Sequence, residues 1–400
     1  MGDEKPLDTG LKRNGAALPL RVLSVFGTRP EAIKLAPVLR ALQNRPRFFQ
    51  PLVVVTAQHR EMLDQVLSLF ALAPHYDLNI MQERQTLAEI TVRSLAGLDG
   101  ILARERPDLV LVQGDTTTAF VAGLAAFYRR IPVGHVEAGL RTRRKYEPFP
   151  EEINRRLLGA LADLHFAPTA QARENLLAES VPPEAIHVTG NTVVDALQMM
   201  VRSDYRFADP ALERAVREGR RILLATAHRR ENWGEPLESI CLALRDLVRL
   251  YPDVTLVFPV HRNPAVRETV ERLLSGEERV VLTEPLDYRE MANLLSRAYL
   301  ILTDSGGLQE EAPGFGRPVL VLREVTERPE GVACGVLKLV GTSRERIVSE
   351  ARTLLEDRQA YLRMARAANP YGDGRAAERI AEILLYRFGW AAAPPAEFTP

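Results

Sequence analysis

The sequence predicts an α/β protein of two doubly wound domains, each a parallel sheet flanked by helices. Three observations point there. Ten short apolar runs alternate with amphipathic helical patterns over most of the chain, which is the rhythm of α/β architecture. Those runs are apolar throughout rather than alternating, as expected of strands buried on both faces. The series also halts once. A poorly hydrophobic, helix-like stretch at about 198–218, carrying Asp204, Arg206, Asp209 and Pro210, precedes a fresh run at 221–226. A break followed by a restart favours two open sheets over a single barrel.

In order, the strand candidates of the first series are 21–26, 51–56, 109–113, 132–137 and 165–168. The second series is 221–226, 254–259, 280–283, 300–303 and 318–321. The boundary falls near 195–215. The expected organisation is a disordered tail at 1–19, a first domain at 20–200 and a second at 201–372. A helix at 373–390 then crosses back onto the first domain, and 391–400 is a Pro-rich tail. Two doubly wound domains offer the C-terminal ends of their strands to a central cleft, where ligands bind in such folds.

Composition narrows the function. The 400 residues carry 52 basic and 52 acidic side chains, a net charge of zero, which argues against a nucleic-acid binder working by bulk attraction to phosphate. With 46% hydrophobic residues there is ample apolar surface to bury, so disorder is excluded for most of the chain. Only five basic residues are lysines (5, 12, 34, 145 and 338), leaving 47 arginines. Most of these are assigned to codon bias or heat stability rather than to a site. Cys241 and Cys334 are too few for a disulfide framework or a zinc site and read as reduced thiols of a cytoplasmic protein. No apolar run approaches the roughly 18 residues that span a bilayer, and the N-terminus lacks the apolar core of a signal peptide.

The chemistry-bearing residues gather just after strands. Gly27-Thr28-Arg29-Pro30-Glu31 closes the first run and opens a helix that carries Lys34. Glycine allows a tight turn, proline suits a first helical turn, and an arginine at a helix N-terminus attracts an anion. Neither a Gly-x4-Gly-Lys phosphate loop nor a Gly-x-Gly-x2-Gly dinucleotide turn is present, which weakens the nucleotide-hydrolase and dehydrogenase readings. Asp115 follows a glycine turn, and the threonines after it suit a helix cap. Glu137 ends the 132–137 run. Glu151 lies fourteen residues on, where Pro148-Phe149-Pro150-Glu151-Glu152 opens a helix with two carboxylates, which also suit the helix dipole. Carboxylates crowded at one sheet end raise one another's pKa and divide into acid and base roles.

The second series mirrors this with cations and backbone donors. His228 and Arg229 follow the 221–226 run, and His261 follows the next. Thr303-Asp304-Ser305-Gly306-Gly307 exposes backbone N–H groups at a helix start, which suits a diphosphate. Glu311, near the first helical turn, is placed for ribose hydroxyls, and Arg328 adds a cation before a helix. No spacing of His, Cys or Asp suggests a metal site.

At these motifs, and at Thr56-Ala57-Gln58-His59-Arg60, Thr326–Gly331 and Asn369-Pro370-Tyr371-Gly372-Asp373-Gly374, the chain resembles the non-hydrolysing UDP-N-acetylglucosamine 2-epimerases over about residues 20–388. The resemblance implies a GT-B-type fold of two Rossmann-like domains, a homodimer, and no cofactor or metal. It implies UDP-N-acetylglucosamine and UDP as ligands, with neither nucleic acid nor membrane as partner. It also implies C2 epimerisation to UDP-N-acetylmannosamine, which supplies cell-envelope polysaccharide synthesis, by elimination of UDP to 2-acetamidoglucal and re-addition. Matched by motif, Asp115, Glu137, Glu151 and His228 are catalytic. Arg29, Lys34, Ser305, Gly306, Gly307, Glu311 and Arg328 bind UDP. Gln58, Glu61, Arg84, Glu151, Arg229 and His261 match a second, activating substrate site. Met291 stands where some members place an aromatic near the uracil, and it stacks less well. Three rivals are a glycosyltransferase of the same fold, a hydrolysing epimerase and a non-catalytic nucleotide-sugar sensor. Incubation with UDP-N-acetylglucosamine alone separates the first from an epimerase, release of free N-acetylmannosamine and UDP marks the second, and binding of UDP without C2 proton exchange in deuterated water marks the third.

Overall fold

The computed structural model describes residues 19–57, 60–82 and 85–400, except for the side chains of Arg60, Glu61 and Met62. The tail expected up to residue 19, apart from Pro19 itself, lies outside the described residues, as do Gln58 and Arg84. The chain forms two compact units. Residues up to Ala196, joined by Gly372–Thr399, make the first, and Leu197–Tyr371 make the second.

The first unit holds a parallel sheet of β1 (Leu20–Phe26), β2 (Phe49–Val55), β3 (Tyr76–Asp77), β4 (Leu109–Gln113), β5 (Val133–Val136), β6 (Leu164–Ala167) and β7 (Ile186–Val188). Its strand order is β3-β2-β1-β4-β5-β6-β7. The second holds β8 (Arg221–Thr226), β9 (Val254–Pro259), β10 (Val280–Thr283), β11 (Leu300–Thr303), β12 (Val319–Val321) and β13 (Leu337–Leu339), ordered β10-β9-β8-β11-β12-β13. Every strand pair is parallel. Both units are therefore Rossmann-like. In each, the chain winds outward from its first strand, then returns and winds the other way. The order reverses between β1 and β4, and between β8 and β11. That reversal opens a crevice at the carboxyl ends of those strands.

All ten expected strands form. The three not foreseen, β3, β7 and β13, are two or three residues long and pair on one side only. A run that short shows no periodicity. The central strands are what the composition promised: all five residues of β4 and all six of β9 are buried. Small residues let neighbouring elements pack closely, helix on helix and strand beside strand. A Cβ on Gly123 of the helix Thr117–Tyr128 would stand 2.6 Å from Leu158, and one on Gly134 of β5 would stand 2.6 Å from Leu111. The poorly hydrophobic stretch between the series resolves into the end of the helix Thr192–Met200, an irregular passage, and the helix Pro210–Arg217.

The last helix, Ala376–Arg387, belongs to the first unit. It packs on the helix Arg29–Gln43, and Arg45 pairs with its Glu378. The buried carboxylate of Asp195 accepts from Ala377 N at 2.8 Å and Ala376 N at 3.3 Å at its start. The residues after 391 do not behave as a tail. Phe398 is buried with its N–H donating to Val188 O, and Glu397 pairs with Arg173, while just ahead of them Trp390 packs at a tilt on Phe48 with ring centroids 5.5 Å apart. Burial of one aromatic ring, with the Arg379 guanidinium over its face at 5.6 Å, outweighs the proline content that suggested a tail. Cys241 is buried in the second unit's core, as its apolar context suggests, whereas Cys334 is exposed. Among the described residues no helix is long and apolar enough to cross a membrane.

Candidate active site

Three motifs meet where β1, β4 and β5 end. Gly27 permits the first turn because a Cβ there would lie 2.2 Å from Thr56 Oγ1 and 2.7 Å from Thr118 Oγ1. Those hydroxyls bond each other at 3.0 Å. Thr28 caps the following helix, and Glu31 returns the capping box, accepting from Gly27 N at 3.0 Å and Thr28 N at 2.8 Å. Its other oxygen accepts from Thr116 Oγ1 at 2.6 Å, tying the turn after β1 to the turn after β4. Burial pushes the Glu31 carboxyl above its usual range, against the pull of those hydrogen bonds. Glu31 is thus a brace between loops, and the sequence reading gave it no role.

Asp115 follows Gly114, whose φ of +71° demands glycine. Asp115 is not the helix cap; Thr116 is, accepting from Ala119 N at 3.0 Å. That leaves the Asp115 carboxylate to pair with Arg155. Behind it, buried His135 holds Gly114 O through Nε2 at 2.7 Å, so that nitrogen carries the proton. Burial pushes the His135 pKa down to about 3, with the charges of His165, Arg141 and Arg155 adding to the effect.

Glu137 stands just past β5 with φ +64°, a left-handed backbone that a glutamate rarely adopts. Such strain, of order 1–3 kcal/mol, persists where surrounding structure over-determines a residue, and it clusters at active sites. Glu137 pairs with Lys34. Glu151 is the first residue of the helix Glu151–Leu161, and both prolines before it follow cis peptide bonds. One turn on, Asn154 Nδ2 donates to Asp115 O at 3.0 Å and Arg155 reaches the Asp115 carboxylate. The helix that carries Glu151 is thereby moored to Asp115. Glu152, by contrast, is buried and accepts from Thr142 N and Arg143 N, both at 3.0 Å. The two adjacent acids have parted: Glu152 holds a loop and Glu151 does not share that task. Arg29 has no carboxylate partner among the described residues.

In the second unit the ends of β8 and β11 meet around Asp304, which is fully buried. Its Oδ2 accepts from His228 N and Arg229 N, each at 2.8 Å, and from Asn232 Nδ2 at 3.0 Å. His228 Nδ1 stands 3.2 Å from Oδ1, and its ring stacks on His261 at 5.6 Å. Burial, above all, depresses the His228 pKa; His261 and Arg229 add to this and Asp304 opposes it.

Ser305 stands at the N-cap position of the short helix Gly306–Glu311, without a capping bond from its side chain. Glu311 is its last residue rather than part of its first turn, yet its carboxylate folds back to within 3.7 Å of where a Gly307 Cβ would stand. Gln309 ties this helix to Thr326, and buried Glu310 pairs with Arg328 at the start of the helix Pro329–Ala333. Arg323, buried, bridges Glu231 at 2.6 Å and Glu327 at 3.4 Å, and Glu327 lies 3.6 Å from Arg229. The loops after β8, β11 and β12 form one braced platform of backbone donors and arginines. Met291 sits half-buried on the helix Tyr288–Arg297. Of the second-site residues, Arg229 and His261 join this platform, and the side chain of Glu61 lies outside the described ones. Among the described residues no three His, Cys, Asp or Glu side chains group as metal ligands.

Comparison with known proteins points to one family. The family model described as UDP-N-acetylglucosamine 2-epimerase matches residues 40–385. The chain is 55% identical over 380 residues to the Bacillus subtilis UDP-N-acetylglucosamine 2-epimerase, covering 95% of this chain and 99% of that one. The S. aureus MnaA–UDP structure superposes with a TM-score of 0.83 at 48% identity, covering 95% of this chain and all of that one. The Neisseria meningitidis UDP-GlcNAc 2-epimerase bound to UDP-GlcNAc gives 0.78 at 49%, covering 92% and 100%. With the family model spanning most of its length and a relative this similar end to end, the chain belongs to the UDP-N-acetylglucosamine 2-epimerase family.

Proposed function

We propose that the protein interconverts UDP-N-acetylglucosamine and UDP-N-acetylmannosamine without hydrolysis, by elimination and re-addition of UDP. The observation that carries this is the carboxylate set of the first unit. Asp115 and Glu137 end adjacent strands, each with its own cation, and the helix bearing Glu151 is moored to Asp115. The chemistry needs such a set. The sugar C2–H is not acidic, so its proton leaves together with a leaving group at C1. A carboxylate takes the C2 proton, the C–H electron pair becomes the C1=C2 bond, and UDP departs with the C1–O electrons. The products are 2-acetamidoglucal and UDP. UDP then adds back at C1 while C2 is protonated on its opposite face. Two faces call for more than one proton-transfer group, which Asp115, Glu137 and Glu151 supply.

The departing diphosphate needs positive charge and N–H donors, which His228, Ser305, Gly306, Gly307 and Arg328 offer in the second unit, with Arg29 and Lys34 in the first. Glu311 takes the ribose hydroxyls. The protein acts as a homodimer in the cytoplasm. UDP-N-acetylglucosamine bound beside the active site, at Glu61, Arg229 and His261 among others, activates it. The epimer feeds cell-envelope polysaccharide synthesis.

The test is incubation with UDP-N-acetylglucosamine in deuterated water, without an acceptor. Deuterium should enter C2 and UDP-N-acetylmannosamine should accumulate to an equilibrium. Free N-acetylmannosamine and UDP would instead indicate hydrolysis, and no exchange in folded protein would overturn the catalytic assignment. Asp115→Asn should lower turnover by about 100-fold or more with UDP affinity nearly unchanged.

A further inference from the structure

We propose that Asp304 is the positioning residue for His228: its buried carboxylate fixes the imidazole with Nδ1–H toward Oδ1 and leaves Nε2 as the working nitrogen. This rests on the reading of His228 as catalytic.

The argument begins from an unbalanced carboxylate. Asp304 is fully buried, and its two oxygens are treated very differently. Oδ2 takes three donors, two from backbone and one from Asn232. Oδ1 is equally buried and has no hydrogen-bond partner among the described residues, yet it faces His228 Nδ1 at 3.2 Å. A buried carboxylate oxygen is strongly disfavoured unless a donor reaches it. The imidazole is the group within reach, and it meets that need only with a proton on Nδ1. The neutral ring then has its lone pair on Nε2, across the ring from Asp304. When the ring takes a second proton, at Nε2, the carboxylate stabilises the cation that results. Burial, His261 and Arg229 all work against that cation, and among the groups acting on the ring Asp304 opposes them. The division of labour is that of a carboxylate holding a histidine in one tautomer and orientation.

Asp304 also shapes the loop, since Oδ2 holds the backbone of His228 and Arg229. Asp304→Asn separates the two tasks. The amide oxygen can keep the three Oδ2 donors, while the amide NH2 presents a donor to Nδ1 and drives the ring to the Nε2–H tautomer.

The experiment is a double-mutant cycle on the full chain, measured as C2 deuterium exchange from UDP-N-acetylglucosamine, with UDP affinity recorded for each variant. Asp304→Asn should reduce exchange by about 100-fold and leave UDP affinity within a few-fold. In a His228→Ala background the same change should have almost no further effect, because the two residues act as a unit. Equal, multiplicative losses in both backgrounds would overturn the proposal and make Asp304 a structural residue only. If His228→Ala itself leaves exchange unchanged, the reading of His228 fails and this proposal falls with it, while exchange by the wild type still upholds the epimerase assignment. A second measurement needs no variant. The ring-nitrogen shifts of His228 in 15N-histidine-labelled wild-type protein, above the pH at which it titrates, should report the Nδ1–H tautomer. The Nε2–H tautomer would refute the proposal outright.

Discussion

Acid should destabilise this protein more steeply than carboxylate titration alone explains, because His135 and His165 are buried as neutral rings in adjacent strands. They are register partners in β5 and β6, each 1% exposed. Burial pushes their pKa values down to about 3 and about 4, from an ordinary value of 6.5. Below pH 6.5 the unfolded chain takes up protons at these sites and the folded chain does not. Stability is therefore fully present above about 6.5, falls as the pH drops, and stops falling near each folded pKa. At pH 5 the gap to the unfolded value is 1.5 units. Each ring then contributes a loss of about 2 kcal/mol, or about 4 kcal/mol for the pair, at about 1.36 kcal/mol per unit. That is a large share of the roughly 5–15 kcal/mol that holds a typical domain folded.

The assay is urea unfolding at pH 7 and pH 5, followed by the fluorescence of Trp390, which packs on Phe48 in the first unit, in a Trp233→Phe background. In His165→Leu the loss between the two pH values should shrink by about 2 kcal/mol, whatever the variant's stability at pH 7. An equal loss in both proteins would refute the reasoning. The consequence reaches the site, since His135 also holds the carbonyl before Asp115.

Other perturbations follow from close approaches. Gly27→Ala places a methyl against Thr56 Oγ1 and Thr118 Oγ1, and neither hydroxyl can retreat without breaking their mutual bond. Thermal unfolding should show a loss of about 1–3 kcal/mol, with UDP binding weakened as the turn shifts. Phe398→Ala should destabilise the first unit by about 3 kcal/mol by opening a cavity beside β7, measurable by the same Trp390 signal. Loss of no stability there would mean that the chain end does not dock.

The central strands were legible because burial on both faces leaves short apolar runs bounded by turn residues. Seven residues of the candidate site were placed for a related reason: Gly27, Asp115, Glu137, Glu151, His228, Ser305 and Arg328 sit just after such runs or at the start of the helix that follows. What the sequence hid was pairing. Nothing local announces that Glu31 reaches Thr116, 85 residues away, or that Asp304 reaches back 76 to His228. Glu151 and Glu152 look alike as letters, and only the loop at Thr142 and Arg143 tells them apart. The positive φ of Glu137 has no signature in residue type, because glycine would have been the expected choice there. Edge strands of two or three residues fell below any periodic signal.

The same pairing explains part of the arginine excess, and it gives a test. Arg155 is 11% exposed at its side chain and meets two carboxylates at once, Asp115 through Nη2 and Glu152 through Nη1 at 3.2 Å. Glu152 in turn holds the backbone at Thr142 and Arg143. The guanidinium therefore joins a proposed catalytic carboxylate to the loop ahead of Glu151, with one nitrogen for each acid. Arg323 does the same between Glu231 and Glu327 in the second unit. A lysine ammonium is a single point of charge on a flexible stem and does not reproduce a planar fork. Arg155→Lys conserves charge yet should leave one of the two acids without its partner. Turnover should fall by roughly 10-fold or more, since a small misplacement of a reacting group is amplified in rate. The control is Arg156→Lys, on the next position of the same helix, whose side chain is 55% exposed and meets Glu179 at 3.6 Å. That change should leave turnover unaltered. Equal effects of the two substitutions would mean that Arg155 supplies charge alone, and that the geometry of its fork does not hold Asp115 in place.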